Sequence, residues 1–347
     1  MSVDAFFAYA RERHATHLRR SASMLREDWT KDPILRAYRF CNIFRELDRT
    51  TIWFRENVRD RLRDDPEVLL ATVLFRWFNR IETGEAIFLQ KGLSSFESEP
   101  CTVATAWDLR HGAKAKWFAD HLRKTILHYR GDGPYVTGSY IIKTPDGKSK
   151  LDGVLWCIEQ FLLQDFPVPG DRDGFLGSSE PLSFQWRGAA EAMLGCTRIG
   201  QSWSLESTWK WLRQFPYLGD FMAYEIVTDL RHTALLDRAP DTMTWANPGP
   251  GAMRGLNRIV GRPLDQRIPK DLANKEMRLL LEKSRDSWHW PQFEDGYWVI
   301  QNGEFNDPPV SGDWPTWEMR DVEHTLCEFD KYERARLGQG RPRQVFR

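Results

Sequence analysis

Apolar side chains recur at helical spacing through most of this chain, and the places where the period fails mark its joints. After Asp32-Pro33, the run to about Val58 predicts one long helix, with Phe40, Ile43, Phe44, Leu47 and Phe54 on one side. Tyr38, Asn42, Arg45 and Arg49 then form a polar stripe opposite. A second helix follows Pro66 and is apolar nearly all round, which predicts burial; Arg76 and Asn79 inside it would need partners. Residues 103–130 and 182–194 also read as helix. Between them, residues 131–158 are the least helical stretch, a short hairpin or a loop bridging helices, and residues 165–185 read as a surface loop.

Trp209, Leu212 and Phe215 carry a helix into the break Pro216-Tyr217-Leu218-Gly219, where Asp220 is placed to cap the next helix. That helix carries Phe221, Ala223, Tyr224, Val227 and Leu230. Residues 247–255 (NPGPGAMRG) cannot be helical until about Ala252, because Pro248 and Pro250 lack amide hydrogens. A basic and acidic helix follows over 270–286, then a Trp-rich stretch with turns. The last helix has Thr316 as its expected cap and Met319, Val322, Leu326 and Phe329 on the core side. Arg320, His324, Glu328 and Lys331 lie opposite. The whole reads as mainly α, a single helical unit over 1–347 with room for two lobes. Its parts are an N-terminal lobe 1–160, a core 182–262 and a C-terminal segment 263–347 that completes a cleft.

Composition narrows the classes. The chain has 347 residues, with Lys plus Arg and Asp plus Glu equal at 49 each, so any nucleic-acid contact must be a local patch. The five cysteines are scattered without a CxxC, which argues against a disulfide framework, a zinc knuckle or an iron–sulfur loop. No GxxxxGK[ST] motif occurs, so phosphate installation from a nucleotide is not expected of this chain. No apolar run approaches spanning length and residues 1–20 lack an apolar signal core, so the expectation is a soluble, cytoplasmic protein with no membrane contact, in a bacterium or a phage-infected host. Neither metal nor cofactor is assigned.

Two stretches suit anions. A short hairpin with Gly219 at its bend can direct backbone amides at a phosphate, or can be an ordinary corner between helices. The loop with Asn247, Gly249 and Gly251 feeds a helix N-terminus and carries Arg254 in its first turn. In the 32–58 run, Arg and Asn on one face suit pyrophosphate, since a guanidinium fork can hold two oxygens at once; a solvated face with pairs such as Arg45 and Asp48 is the alternative.

These residues carry a resemblance. The helix–hairpin–helix arrangement is similar to that of DNA glycosylases, whose essential Asp follows the hairpin at about the distance of Asp237 and Asp241; Tyr217 departs from their pattern by standing where the first Gly is usual. More closely, YLGDFMAYEIVTDL, TWANPGPGAMRGLNRI, the R-x-x-R-x-x-N-x-x-R signature at Arg36, Arg39, Asn42 and Arg45, and EMRDVEHTLCEFDKY at 318–332 resemble the α-glutamyl/putrescinyl thymine pyrophosphorylase family. Those proteins are glycosylase-like and are also described as helical relatives of hydroxymethyluracil DNA kinase. The resemblance implies transfer of an amine or amino acid onto pyrophosphorylated 5-hydroxymethyluracil in double-stranded DNA, with loss of pyrophosphate. It assigns pyrophosphate or substrate contacts to Arg36, Arg39, Asn42, Arg45, Thr137, Tyr140 and Lys331, and the polar stripe and the buried polar pair add Arg49 and Asn79 to these candidates. DNA contact goes to Gly219, Asn247, Gly249, Gly251 and Arg254. His324, supported by Glu328 or Glu323, is the candidate base, with Asp229 and Asp241 as the other candidates. A base-excising glycosylase and a non-catalytic DNA-binding subunit are the alternative functions.

Overall fold

The structure is a computed structural model that describes residues 2–89, 112–138, 141–167, 183–184, 186–198, 200, 202–285, 298–300, 304–306 and 317–346. It is mainly helical. In chain order the helices are α1 (Val3–Ser21), α2 (Pro33–Ala37), α3 (Arg49–Phe54), α4 (Glu67–Phe78), α5 (Ile81–Gly84), α6 (Gly112–Arg130), α7 (Lys150–Leu163), α8 (Trp186–Arg198), α9 (Leu205–Leu212), α10 (Asp220–Leu230), α11 (Pro250–Val260), α12 (Lys270–Lys283) and α13 (Met319–Arg336). Strand pairing among the described residues is confined to two antiparallel ladders, β1 (Phe166–Pro167) with β2 (Ser183–Phe184), and β3 (Trp298–Ile300) with β4 (Glu304–Asn306). Residues 131–138 and 141–149 form no strand.

The chain divides into two compact units, one built from both ends (1–48 and 242–347) and one from the middle (49–241). In the first unit α11 lies directly on α13. Gly255 permits this, since a Cβ there would meet the Leu326 carbonyl oxygen at 2.5 Å, and Gly251 likewise abuts Cys327. Aromatic rings fill the space between α1 and α13: Phe6 meets Phe329 edge-on at 5.6 Å, and Phe7 stacks on Trp317 at 6.1 Å. In the second unit every residue of α4 is buried, as its all-round apolar pattern implies.

The expected helix over 32–58 is not one helix. It stops after Ala37, runs extended from Tyr38, makes a 3-10 turn at Arg45–Leu47 and resumes as α3. The reason is that side chains from other elements take over its backbone groups. Arg13 Nη2 donates to the Phe40 carbonyl at 2.8 Å and Arg13 Nε to the Cys41 carbonyl at 3.1 Å. The Cys41 amide donates to Glu328 and the Asn42 amide to Asp48. Local periodicity cannot register partners that lie 28 and 287 positions away.

Caps differ as well. Gly219 is the N-cap of α10, while Asp220 sits in the first turn and pairs with Arg213 at 2.6 Å. Tyr217 holds φ of 63°, the left-handed conformation a glycine would adopt easily. Thr316 lies outside the described residues; Glu318 caps α13 in a reciprocal box with Asp321. The basic tail is docked: Val345 bridges Tyr38, and the Arg39 amide donates to the Gln344 carbonyl at 3.0 Å.

Candidate functional site

The extended stretch 38–44 lies across α13, and this places Cys41, Asp48 and His324 together. Asp48 Oδ2 is 3.4 Å from His324 Nε2, with the side chains 22% and 18% exposed. Asp48 Oδ1 accepts from the Asn42 amide at 2.8 Å and from Asn42 Nδ2 at 3.2 Å, so one oxygen is fixed and the other faces the imidazole. Asn42 is in turn held by Arg13, whose Nη2 donates to its Oδ1 at 2.7 Å. Behind Cys41, Glu328 accepts both the Cys41 amide at 2.9 Å and Lys331 Nζ at 2.5 Å. Next along the turn, the Arg45 amide donates to Asp321 at 3.4 Å, and Arg320 faces Glu46 at 3.6 Å and Glu318 at 3.5 Å.

The electrostatics follow from this wiring. Burial alone would lower the His324 pKa, but the adjacent Asp48 carboxylate and Cys41 side chain hold it well above the ordinary value. Burial acts to raise Asp48, and the His324 and Asn42 hydrogen bonds and the Arg13 charge outweigh it and keep the carboxyl below its usual range. The pair is therefore imidazolium and carboxylate at neutral pH. Burial, with the Glu328 and Asp48 charges, pushes the Cys41 thiol up despite the opposing His324 hydrogen bond. The carboxylate facing His324 is Asp48, while Glu323 accepts from the Gly249 amide and Glu328 from the Cys41 amide. That Asp48 and Cys41 lie beside His324 was not legible, because a single helix over 32–58 places them differently; the signature around Asn42 was the available signal. The donor atoms of Cys41, Asp48 and His324 lie within 4.8 Å of one another and could hold a metal ion.

The other candidates take different places. Asn42 and Arg45 are buried, at 7% and 6% exposure, whereas Arg36 and Arg39 are exposed beside the tail. The four do not share a face, because the chain between them is not helical. Arg49 is exposed at the start of α3 in the other unit. Lys331 sits over the Phe40 ring at 5.1 Å. Glu323 accepts from the Gly249 amide at 3.1 Å, so a carboxylate of this chain occupies the α11 N-terminus that the sequence suggested for an anion. Gly251 serves packing, Arg254 pairs with Asp330 at 3.3 Å and with Asp265, and Asn247 accepts from Lys270 at 2.7 Å.

In the middle unit, Asp229 is fully buried and accepts Arg76 on both oxygens, with Nη2 to Oδ1 at 2.6 Å. Arg76 also donates to Asn79 at 3.0 Å. Asp241 caps α9, accepting from the Leu205 amide at 2.7 Å and the Glu206 amide at 3.0 Å. Gly219 is exposed at the corner between α9 and α10. The Thr137 amide donates to the Phe78 carbonyl at 2.8 Å, and Tyr140 lies outside the described residues.

Comparison with known proteins adds to this geometry. A curated 5-hmdU DNA kinase of Bacillus phage SP10 is 25% identical over 279 residues, covering 74% of this chain but only 36% of that protein. No solved structure matches the chain. The family described as the helical domain of 5-hmdU DNA kinase matches residues 1–104 and 185–341, which include the Cys41, Asp48 and His324 cluster and most of the chain, and the chain belongs to that family.

Proposed function

We propose that this chain is a thymine-hypermodification transferase of DNA, exchanging the pyrophosphate of an activated 5-hydroxymethyluracil for an amine or amino acid. The observation that carries the reading is the part-exposed Asp48–His324 ion pair, within the segments that match a family named for a 5-hmdU kinase. In the reaction the bond between the C5 methylene and the pyrophosphate oxygen breaks. The His324 imidazolium donates its proton to that oxygen, and Arg45 and Lys331 supply further positive charge nearby. Preorganised donors of this kind typically contribute ~3 kcal/mol each to the barrier. The neutral imidazole left behind then takes a proton from the incoming ammonium, and the free amine forms the carbon–nitrogen bond. His324 returns to its charged form, so the proton count closes. Glu328 positions Lys331 and the Cys41 backbone. The α9–α10 corner with Gly219 is the segment assigned to DNA backbone. This places the protein's work where phage or bacterial DNA is, in the cytoplasm; among the described residues no helix is long and apolar enough to cross a membrane.

The glycosylase alternative needs a carboxylate beside the sugar, yet Asp241 is engaged by two helix amides and Asp237 pairs with Arg63 at 3.1 Å. A non-catalytic subunit would not turn over. The test is incubation with DNA bearing pyrophosphorylated 5-hydroxymethyluracil and a panel of amines, followed by nucleoside mass spectrometry. An amine adduct and free pyrophosphate are expected, with His324→Gln abolishing both. No adduct from any amine, or full activity of His324→Gln, overturns the reading.

A further inference from the structure

Around the end of α1 the first unit gathers arginines that face no carboxylate among the described residues. The guanidinium of Arg20 lies 4.5 Å from the Phe346 ring centre and 4.9 Å from that of Trp29. Arg39 and Arg26 approach the same Phe346 ring at 5.3 and 5.7 Å. Arg26 also donates to the carbonyls of Arg36 and Phe346, which draws the backbone of Arg36 to the same place. The tail makes this surface: the Phe346 amide donates to the Ala37 carbonyl at 3.0 Å, and Trp29 meets Phe346 edge-on at 5.4 Å.

Arg254 and Arg258 of this unit are matched by Asp330, Arg262 by Glu276 and Arg336 by Glu333, whereas Arg20, Arg26 and Arg39 instead converge on one aromatic ring. Among the described residues Arg20, Arg26, Arg36 and Arg39 have no carboxylate within ion-pair distance, and Glu27 and Asp28, though adjacent to Arg26, pair with none of them. In a chain with zero formal net charge, such clustering is a local choice. Arginines stacked on an aromatic ring hold their planes while leaving N–H groups at the edge, a form suited to phosphate oxygens. Arg26, Arg36 and Arg39 are exposed.

We propose that this arginine cluster around Phe346 docks the phosphate backbone of double-stranded DNA, holding the substrate without reading its sequence. The identity of the polyanion rests on the DNA-modification reading; the existence of the site rests on the uncompensated charge. Backbone contacts of this kind release counterions, so the logarithm of affinity falls with the logarithm of salt by about 0.9 per phosphate contacted.

The experiment measures binding of the full chain to a short fluorescent duplex of unmodified DNA across a salt series. The variant Arg20→Ala/Arg26→Ala/Arg39→Ala should lower the salt slope by about 3 units and weaken binding on every duplex sequence alike. The corresponding triple lysine variant should keep the slope, since it keeps the charge. Arg39→Glu alone, at an exposed position, should weaken binding even if the triple alanine variant is unstable. If wild type binds duplex DNA and these variants bind with unchanged slope and affinity, the docking site is overturned while the function stands. If wild type binds no duplex DNA, or is retained by anionic lipid vesicles instead, both fail.

Discussion

Replacing Asp48 by Asn removes the charge facing His324 while keeping the oxygen that accepts from Asn42, so the perturbation isolates one electrostatic contact. At 3.4 Å and an effective dielectric constant of about 20, the Coulomb term is about 5 kcal/mol before desolvation. Both side chains lose most of their water here, so the net contribution should be nearer that of a charge-assisted hydrogen bond, about 1.5–3 kcal/mol. A double-mutant cycle of Asp48→Asn with His324→Gln, read by urea unfolding at neutral pH, should return a coupling in that range. The pH dependence has a definite sign. His324, raised in the fold, contributes stability that is full below its ordinary unfolded value and is lost as pH rises through the raised folded value. Asp48, depressed, contributes stability present above its unfolded value and lost as pH falls through the folded one. The coupling should therefore be flat around neutrality and shrink toward both extremes. A coupling below about 0.5 kcal/mol, or one that grows toward alkaline pH, refutes the ion pair and with it the acid role of His324.

Asp229→Ala should destabilise the protein by about 3 kcal/mol in chemical denaturation, because it removes the bidentate partner of buried Arg76 and leaves only Glu225 at 3.5 Å, and Arg76→Met added to it should recover much of the loss. Gly255→Ala should cost about 1–3 kcal/mol and lower the melting temperature, because the new methyl meets a backbone oxygen of α13. Asp241→Ala should cost about 1 kcal/mol in urea unfolding through loss of the α9 cap while leaving amine transfer intact; loss of transfer in a folded variant would return Asp241 to the chemistry. Transfer by wild type should decline as pH rises through the raised His324 value, and a rate that climbs there would show that His324 starts as the neutral base.

Helical period alone was enough to mark α4, α9, α10 and α13; α9 and α13 bury the face their spacing defines, whereas α4 is buried all round and α10 is buried from Met222 to Leu230 with Phe221 exposed. The burial of Arg76 was legible too, since an arginine in an all-apolar helix must find a partner. The identity of that partner was not, because Asp229 is 153 positions away. Asn42, Arg45, Lys331 and His324 could be singled out from motif and chemistry, but not how they group. That was decided by Arg13 and Glu328, which take the backbone groups of 40–41 and hold the segment extended against its own helical pattern. The same tertiary override separates Arg36 and Arg39 from Asn42 and Arg45, and substitutes Asp48 for the acids on α13. Likewise the loop at 247–251 announced a helix N-terminus, and only packing of α11 on α13 revealed that Glu323 fills it. Sequence marked α4, α9, α10 and α13 and the side chains that are costly to bury, but not α7, which starts inside the stretch read as least helical, or the break after Ala37; the tertiary structure decided these and which side chains meet, since a hydrogen-bond partner from a distant element can outweigh any local preference.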